Sequence, residues 1–232
     1  MRHLKSFLFA IFAGFCIGFG GLLNLMCRSY GQPIVGSIIF SVGLLLICFF
    51  GFNLFTGKVG FFFEKENKKK YLIDLAIYYI GNFVGAVGFG YLMRSITSIS
   101  DKTSELNKVV ADLGAHKLDR LQGMTIGTEW YVLFILSIFC GLLVFMAVEL
   151  YRRDNLSVVI KVLGIIICIG GFVLAGFEHC IADMFYLSAS GYLFSSYTGS
   201  AFASILLGSS GNIAGAFIGW FVINHIGKIK EN

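Results

Sequence analysis

The sequence predicts an all-α integral membrane protein of six transmembrane helices, arranged as an inverted three-helix repeat with broken second and fifth helices. Three observations carry that prediction: the composition, six apolar runs, and one short word that recurs near the end of each half. Of 232 residues, 57% are hydrophobic and only 13% charged, and the mean hydropathy is +0.82. A soluble domain carries about 25% charged residues, so this chain lacks the charge for a surface facing water on every side. Disorder is excluded by the same figures, because it needs low hydrophobicity and high charge. The net charge of +5 is mild, and no dense Lys/Arg face points to nucleic acid.

A bilayer core takes about 20 apolar residues as helix. Residues 6–27 carry no charge and run on into further spans, which together with their length argues against a cleaved signal peptide. Residues 31–57 are uncharged, and 71–93 hold one acid, Asp74. Residues 130–148 are uncharged again. Residues 162–177 are apolar but short, and Glu178, His179 and Asp183 follow before the apolar stretch 184–190. The fifth span is therefore long and interrupted. Residues 202–224 complete the set.

Orientation follows from Lys and Arg in short loops. Arg2 and Lys5 lie at the N-terminus, Lys65 and Lys68–Lys70 after the second span, Arg152 and Arg153 after the fourth, Lys228 and Lys230 in the tail. Six spans put all of these on one side, the cytoplasm, with both termini there. The opposite side receives one long polar loop, 94–126, in which acids offset the bases. The chain reads as one membrane domain, 1–232, with repeat halves near 1–100 and 120–232. Its cysteines (Cys16, Cys27, Cys48, Cys140, Cys168, Cys180) form no CxxC pair and mostly sit in apolar runs, as small buried hydrophobes do.

The recurring word is GNxxGA. It begins at Gly81 in the third span and at Gly211 in the sixth. Small residues at four-residue spacing let helix backbones approach closely in lipid, and ordinary packing would explain either copy alone. Two copies, one closing each half, indicate a repeat. Three spans per half is an odd number, so the second half enters the membrane inverted, a plan common in transporters whose pathway lies between broken helices. Breaks are expected within residues 51–60, which include Leu54-Phe55-Thr56, and within residues 170–179, where glycines surround polar residues inside apolar runs. Unwound backbone is tolerated at membrane depth only where it is buried or lines a cavity.

His179 is the only histidine near mid-membrane, and an ionisable group there is a functional candidate by default. The plainer alternative is a histidine that satisfies backbone freed by the break. Thr56 offers a hydroxyl at the matching break, either to a pathway or as a helix cap. Glu178 and Asp183 must pair or bond to backbone amides and are expected to support the break. His179 with Asp183 lacks further ligands at metal-binding spacing, so no metal and no cofactor is expected.

At Leu54-Phe55-Thr56, at Gly176-Phe177-Glu178-His179 with Ala182 and Met184-Phe185, and at the two Gly-Asn words, the sequence resembles the formate/nitrite transporter family of formate, nitrite and hydrosulfide channels. The resemblance covers nearly all six spans. It implies an aquaporin-like protomer, a homopentamer with one pore per protomer, and two apolar constrictions bracketing the histidine. Carried over singly, Phe40, Leu54 and Phe172 resemble the outer ring, and Leu44 and Phe55 the inner one. Asn212 matches a pathway asparagine, and Lys117 is the nearest counterpart of a vestibule lysine, although it lies further from Gly141 than the family pattern has it. Gly141 and Asp183 stand where the family usually carries asparagine.

The resemblance implies a channel for a small monovalent anion in a bacterial cytoplasmic membrane. Positive potential draws the anion in, His179 and Thr56 hold it as it gains a proton, and the neutral acid crosses the apolar rings. No ATP is implied, since the chain has no GxxxxGK[ST] loop. The alternatives are a membrane-embedded enzyme using Glu178 and His179 as base and acid, or a non-conducting scaffold subunit.

Overall fold

The computed structural model describes residues 2–99, 104–122 and 130–226. Ten α-helices follow in order among them: α1 (Arg2–Ser29), α2 (Pro33–Ile39), α3 (Val42–Phe50), α4 (Phe55–Lys58), α5 (Lys68–Ile99), α6 (Ser104–Gln122), α7 (Trp130–Arg152), α8 (Val158–Leu174), α9 (Cys180–Ala189) and α10 (Thr198–Phe221). Five stretches are long and apolar enough to cross a membrane, with α2 and α3 together forming one of them. The remaining crossing is built from α8 and α9, and each is too short to span alone. The outer surface is apolar, with Leu8, Phe12, Ile80, Ile135, Ile167 and Leu206 exposed, as lipid permits and water does not.

Each half is organised around one close helix pair, α1 on α5 and α7 on α10. A Cβ at Gly14 would overlap the Asn82 carbonyl, and one at Gly85 would overlap the Ile11 carbonyl. Gly141 meets the Asn212 carbonyl and Gly215 the Ile138 carbonyl in the same way. Backbone contact of this kind maximises dispersion where lipid removes the hydrophobic drive. The ion pairs give the relative direction of the halves. Arg2 at the start of α1 binds Asp74 near the start of α5 at 2.7 Å. Arg152 at the end of α7 binds Glu64, just before α5, at 3.0 Å. So α1 begins at the end of the molecule where α7 finishes, and the repeat is inverted.

Both breaks use the same device. Helix α3 stops at Gly51 with φ +67°, and Gly176 after α8 has φ +71°. Left-handed backbone costs glycine little and other residues more. The next amide then reaches back in both: Phe52 N–H to the Ile47 carbonyl and Phe177 N–H to the Phe172 carbonyl, each at 3.0 Å. This is the hydrogen-bonding pattern of a glycine-terminated helix. Leu54 and His179 then run extended and begin α4 and α9.

Two expectations change. Residues 94–126, read as a loop, contain the end of α5 and the 19-residue helix α6. Lys68–Lys70 form the first turn of α5 rather than a loop, a placement that the short preceding 3-10 turn at Val59–Glu64 makes possible. Lys228 and Lys230 lie outside the described residues. All six cysteines are free, and Cys16, Cys140, Cys168 and Cys180 are buried.

Candidate functional site

The site is framed by two asparagines. Asn82 on α5 donates to the Ala10 carbonyl at 2.8 Å and to the Asn53 carbonyl at 2.9 Å, and accepts from Phe55 N–H at 2.8 Å. Asn212 on α10 donates to the Ser137 and Glu178 carbonyls, both at 2.8 Å, and accepts from Cys180 N–H at 3.0 Å. Both are fully buried. A broken helix exposes amides and carbonyls that lipid cannot satisfy, and one amide side chain serves both ends of each gap. The Asn of GNxxGA is thus a clamp on the break, and its glycines admit the partner backbone. Asn212, expected on the pathway, lines none of the cavities described next, because its amide is committed to backbone.

Three cavities adjoin one another through shared wall residues that include both breaks. One of about 170 Å³, on the α6 side, includes Phe40, Lys117, Phe172, Glu178, His179 and Asp183 in its wall. A neck of about 10 Å³ is lined by Ile17, Phe40, Leu44, Leu54, Val144, Ile169, Phe172 and His179. The third, of about 300 Å³, includes Leu44, Leu54, Lys58, Lys65, Tyr71 and Arg152. Shared walls give the order: Phe40, Phe172 and His179 close the neck toward α6, and Leu44 and Leu54 close it toward Arg152. The Phe40 and Phe172 rings meet edge to face at 5.8 Å.

Two constriction residues are therefore placed differently from the expectation. Leu54 pairs with Leu44 on the Arg152 side rather than with the two phenylalanines. Phe55 lines none of the three cavities and packs edge-on against Tyr79 of α5, with centroids 5.0 Å apart. Its N–H is tied to Asn82, and the helical turn that starts there carries its side chain away from the neck.

Behind the neck wall the two breaks touch through His179, which lines the neck, and Thr56, which lines none of the three cavities; Nε2 and Oγ1 are 2.8 Å apart. His179 Nδ1 accepts from Ala182 N–H at 3.2 Å, capping α9. One neutral tautomer satisfies both contacts: Nε2–H donates to Thr56, and the threonine hydroxyl keeps its own proton to donate onward. A second proton, on Nδ1, would point at the Ala182 N–H. The Phe172 ring stacks over the imidazole at 5.9 Å.

Beside the histidine stands a buried ion cluster. Lys117 Nζ binds the Glu178 carboxylate and lies 2.5 Å from Asp183 Oδ1, with the Tyr186 ring 5.5 Å below it. Burial works against the ammonium, but Asp183 and Glu178 outweigh it and raise its pKa above the ordinary lysine value. Helix α6 brings Lys117 here despite its sequence distance from α7, because Leu106 and Leu118 on the same helix are buried. The apolar spacing Leu106, Val109, Val110, Leu113, Leu118 is the signal that finds this helix. Glu178, expected to support the break, does so through its main-chain carbonyl, while its carboxylate turns to Lys117. Asp183 sits in the first turn of α9, its N–H bonded to the His179 carbonyl at 2.9 Å. Among the described residues, no three His, Cys, Asp or Glu side chains are arranged to hold a metal. Lys58, at the opposite mouth, is a cavity residue to which sequence reasoning gave no role, although it lies within the first break segment, residues 51–60.

Residues 1–226 match the family model described as formate/nitrite transporter. The chain is 28% identical over 204 residues to the formate channel FocA of Haemophilus influenzae, covering 80% of this chain and 66% of that one, just under two thirds of its length. It is 31% identical over 188 residues to the formate channel BtFdhC of Bacillus thuringiensis, covering 76% of this chain and 68% of the other. A solved pentameric formate channel with formate bound superposes with a TM-score of 0.78 at 24% identity, over 100% of this chain and 98% of that one. An FNT family ion channel superposes at 0.75 and 24% identity, over 99% and 90%; both carry the fold. With these matches beside the clamped breaks and the adjoining cavities, the chain belongs to the formate/nitrite transporter family, as a multi-pass membrane transporter rather than an enzyme.

Proposed function

We propose that this chain is a channel for small monovalent anions, formate, nitrite or hydrosulfide, in a bacterial cytoplasmic membrane, and that passage is coupled to a proton. The halves 1–100 and 120–232 act as one domain, both termini are cytoplasmic, and five copies assemble with a pore in each. In that orientation the α6-side cavity is the outer vestibule and the Arg152-side cavity the inner one. The observation that carries the reading is His179, the polar group in the neck wall between two apolar closures, bonded through Nε2 to Thr56.

The physical difficulty is charge. An anion at the bilayer centre is costly, and a neck with room for about one water removes most of its hydration. A neutral acid faces a far smaller barrier. The Thr56 hydroxyl, behind the neck wall and oriented by His179 Nε2–H, donates to the permeating species as it passes His179. The anion takes up a proton from water in the vestibule it enters, passes Phe40, Phe172, Leu44 and Leu54 as the acid, and gives the proton back to water in the other vestibule. His179 remains neutral throughout and holds the donor in line. Phe55, off the neck, acts as packing.

Stopped-flow uptake into proteoliposomes tests this, comparing formate, nitrite and hydrosulfide with and without an inward proton gradient. Protein-dependent flux of one anion, raised by the gradient and reduced in His179→Ala, is expected. A folded pentamer that leaks none of the three above empty liposomes would overturn the reading in favour of a scaffold subunit.

A further inference from the structure

The two vestibules differ in their charge balance. Around the α6-side cavity, Arg28 and Lys117 face Glu178 and Asp183, and Lys117 is in contact with both carboxylates. The Arg152-side cavity has three cations in its wall, Lys58, Lys65 and Arg152, and no acid. Arg152 is already committed: Glu64 lies at 3.0 Å and Glu149 at 3.4 Å, and the guanidinium rests on the Phe61 ring at 3.8 Å. Lys58 and Lys65 have no carboxylate within 4 Å among the described residues. Their ammonium groups lie over aromatic rings instead, Tyr78 at 5.5 Å and Tyr71 at 5.3 Å. Asp74, an acid whose charge reaches Lys58, is held by Arg2 at 2.7 Å.

Lys58 is also fixed in place. It ends the short helix α4 that begins next to Leu54 at the neck, about 6 Å further along a helix axis at 1.5 Å per residue. Its carbonyl accepts from Tyr71 Oη–H at 2.8 Å, which anchors that end of the helix to α5. The side chain is half-buried, where an ammonium is less screened by salt than on an open surface. A ring face holds a cation in position but leaves its N–H donors available.

We propose that the Lys58 ammonium is a docking site for a small monovalent carboxylate or similar oxyanion, placed just beyond the Leu44–Leu54 closure on the Arg152 side. On the α6 side Lys117 is neutralised by Glu178 and Asp183, and Arg28, the other cation in that wall, shares its cavity with those two acids and gives its Nε–H to Asn24 at 3.0 Å. The proposal rests on the anion-channel reading and adds a residue and a direction to it. In a passive pore the permeability at low concentration is the same from both faces, so the site reveals itself in saturation. Flux loaded from the Arg152 side saturates at lower anion concentration than flux loaded from the α6 side.

The test uses sealed membrane vesicles of both orientations containing the full chain, with formate as the probe. Lys58→Gln is expected to raise the half-saturating formate concentration from the Arg152 side about tenfold, the scale of one charge-assisted hydrogen bond. The value from the α6 side moves far less. Lys58→Arg retains most of the wild-type value, and Lys65→Gln, on an exposed side chain, gives a smaller shift. Gluconate, too large for the neck, slows flux when present on the Arg152 side of the wild type and does so less in Lys58→Gln. Equal shifts from both faces, or no shift in either, would overturn the proposal while leaving the channel reading intact. Thermal stabilisation of the purified protein by formate gives a readout without transport. If wild-type protein conducts no formate but is stabilised by it through Lys58, the site stands and the channel reading falls.

Discussion

Asn53, Leu54 and Phe55 in the first break stand where Glu178, His179 and Cys180 stand in the second. The clamps coincide residue for residue: each asparagine donates to the first position of its triplet and accepts from the third. The glycines that end the preceding helices coincide as well. All three side chains differ, but only the residue between the clamped positions lines the neck in both halves, leucine in one and histidine in the other. The lesson is that the backbone of a broken crossing and the chemistry displayed on it are separately encoded. The frame is duplicated, and one substitution at the middle of the triplet turns an apolar wall into a hydrogen-bonding group.

The largest effects are expected from the clamps. Asn82→Ala and Asn212→Ala each leave two carbonyls and one N–H without their partner, at about 1–3 kcal/mol per buried group. Both should lower the thermal stability of the detergent-solubilised protein severely and to similar extents. Markedly unequal losses would break the equivalence of the two frames. Next comes Lys117→Met, which leaves Glu178 and Asp183 without their shared cation and should cost about 3–5 kcal/mol. Adding Asp183→Asn should recover part of that loss, because one surplus carboxylate is gone; thermal melts of the double variant check it.

The middle residues should separate function from frame. His179→Ala should reduce anion flux about tenfold or more, the scale of a hydrogen bond to a charged partner, with a smaller change in stability than either asparagine variant. Leu54→Ala, at the equivalent position, should instead widen the neck and admit larger anions, which a comparison of formate with acetate uptake resolves. The smallest effect is expected from Phe55→Leu. It alters packing on Tyr79, costs about 1.5 kcal/mol or less, and should leave the ratio of formate to acetate flux unchanged.

Most of the frame was legible in the sequence because its signals are local: apolar runs, glycines at the breaks, and a repeated Gly-Asn word. The function of that word was harder to read. Asn212 resembles a pathway residue by motif, yet its hydrogen bonds run to residues on α7 and at the second break, far away in sequence. Leu54 and Phe55 show the same limit at finer scale, since adjacent residues at the start of a helix diverge by about 100° and only the register of the turn decides which faces the neck. Lys117 was found by chemistry but not by place, because the amphipathic α6 that delivers it lies inside a stretch read as loop. Lys58 lies inside the first break segment, but nothing there sets it apart from any other lysine near the end of a span.

The neck of about 10 Å³ also bears on the electrical integrity of the membrane. A volume of that size admits about one water, and a single molecule cannot form the continuous hydrogen-bonded file along which bare protons hop. Imidazole and hydroxyl are both present, but with Nε2–H and Ala182 N–H each donating in a fixed direction, they do not complete a relay through the closures. In the proposed mechanism, protons then cross only as cargo bound to the permeating acid. A cell can hold this pore open without short-circuiting its own membrane potential.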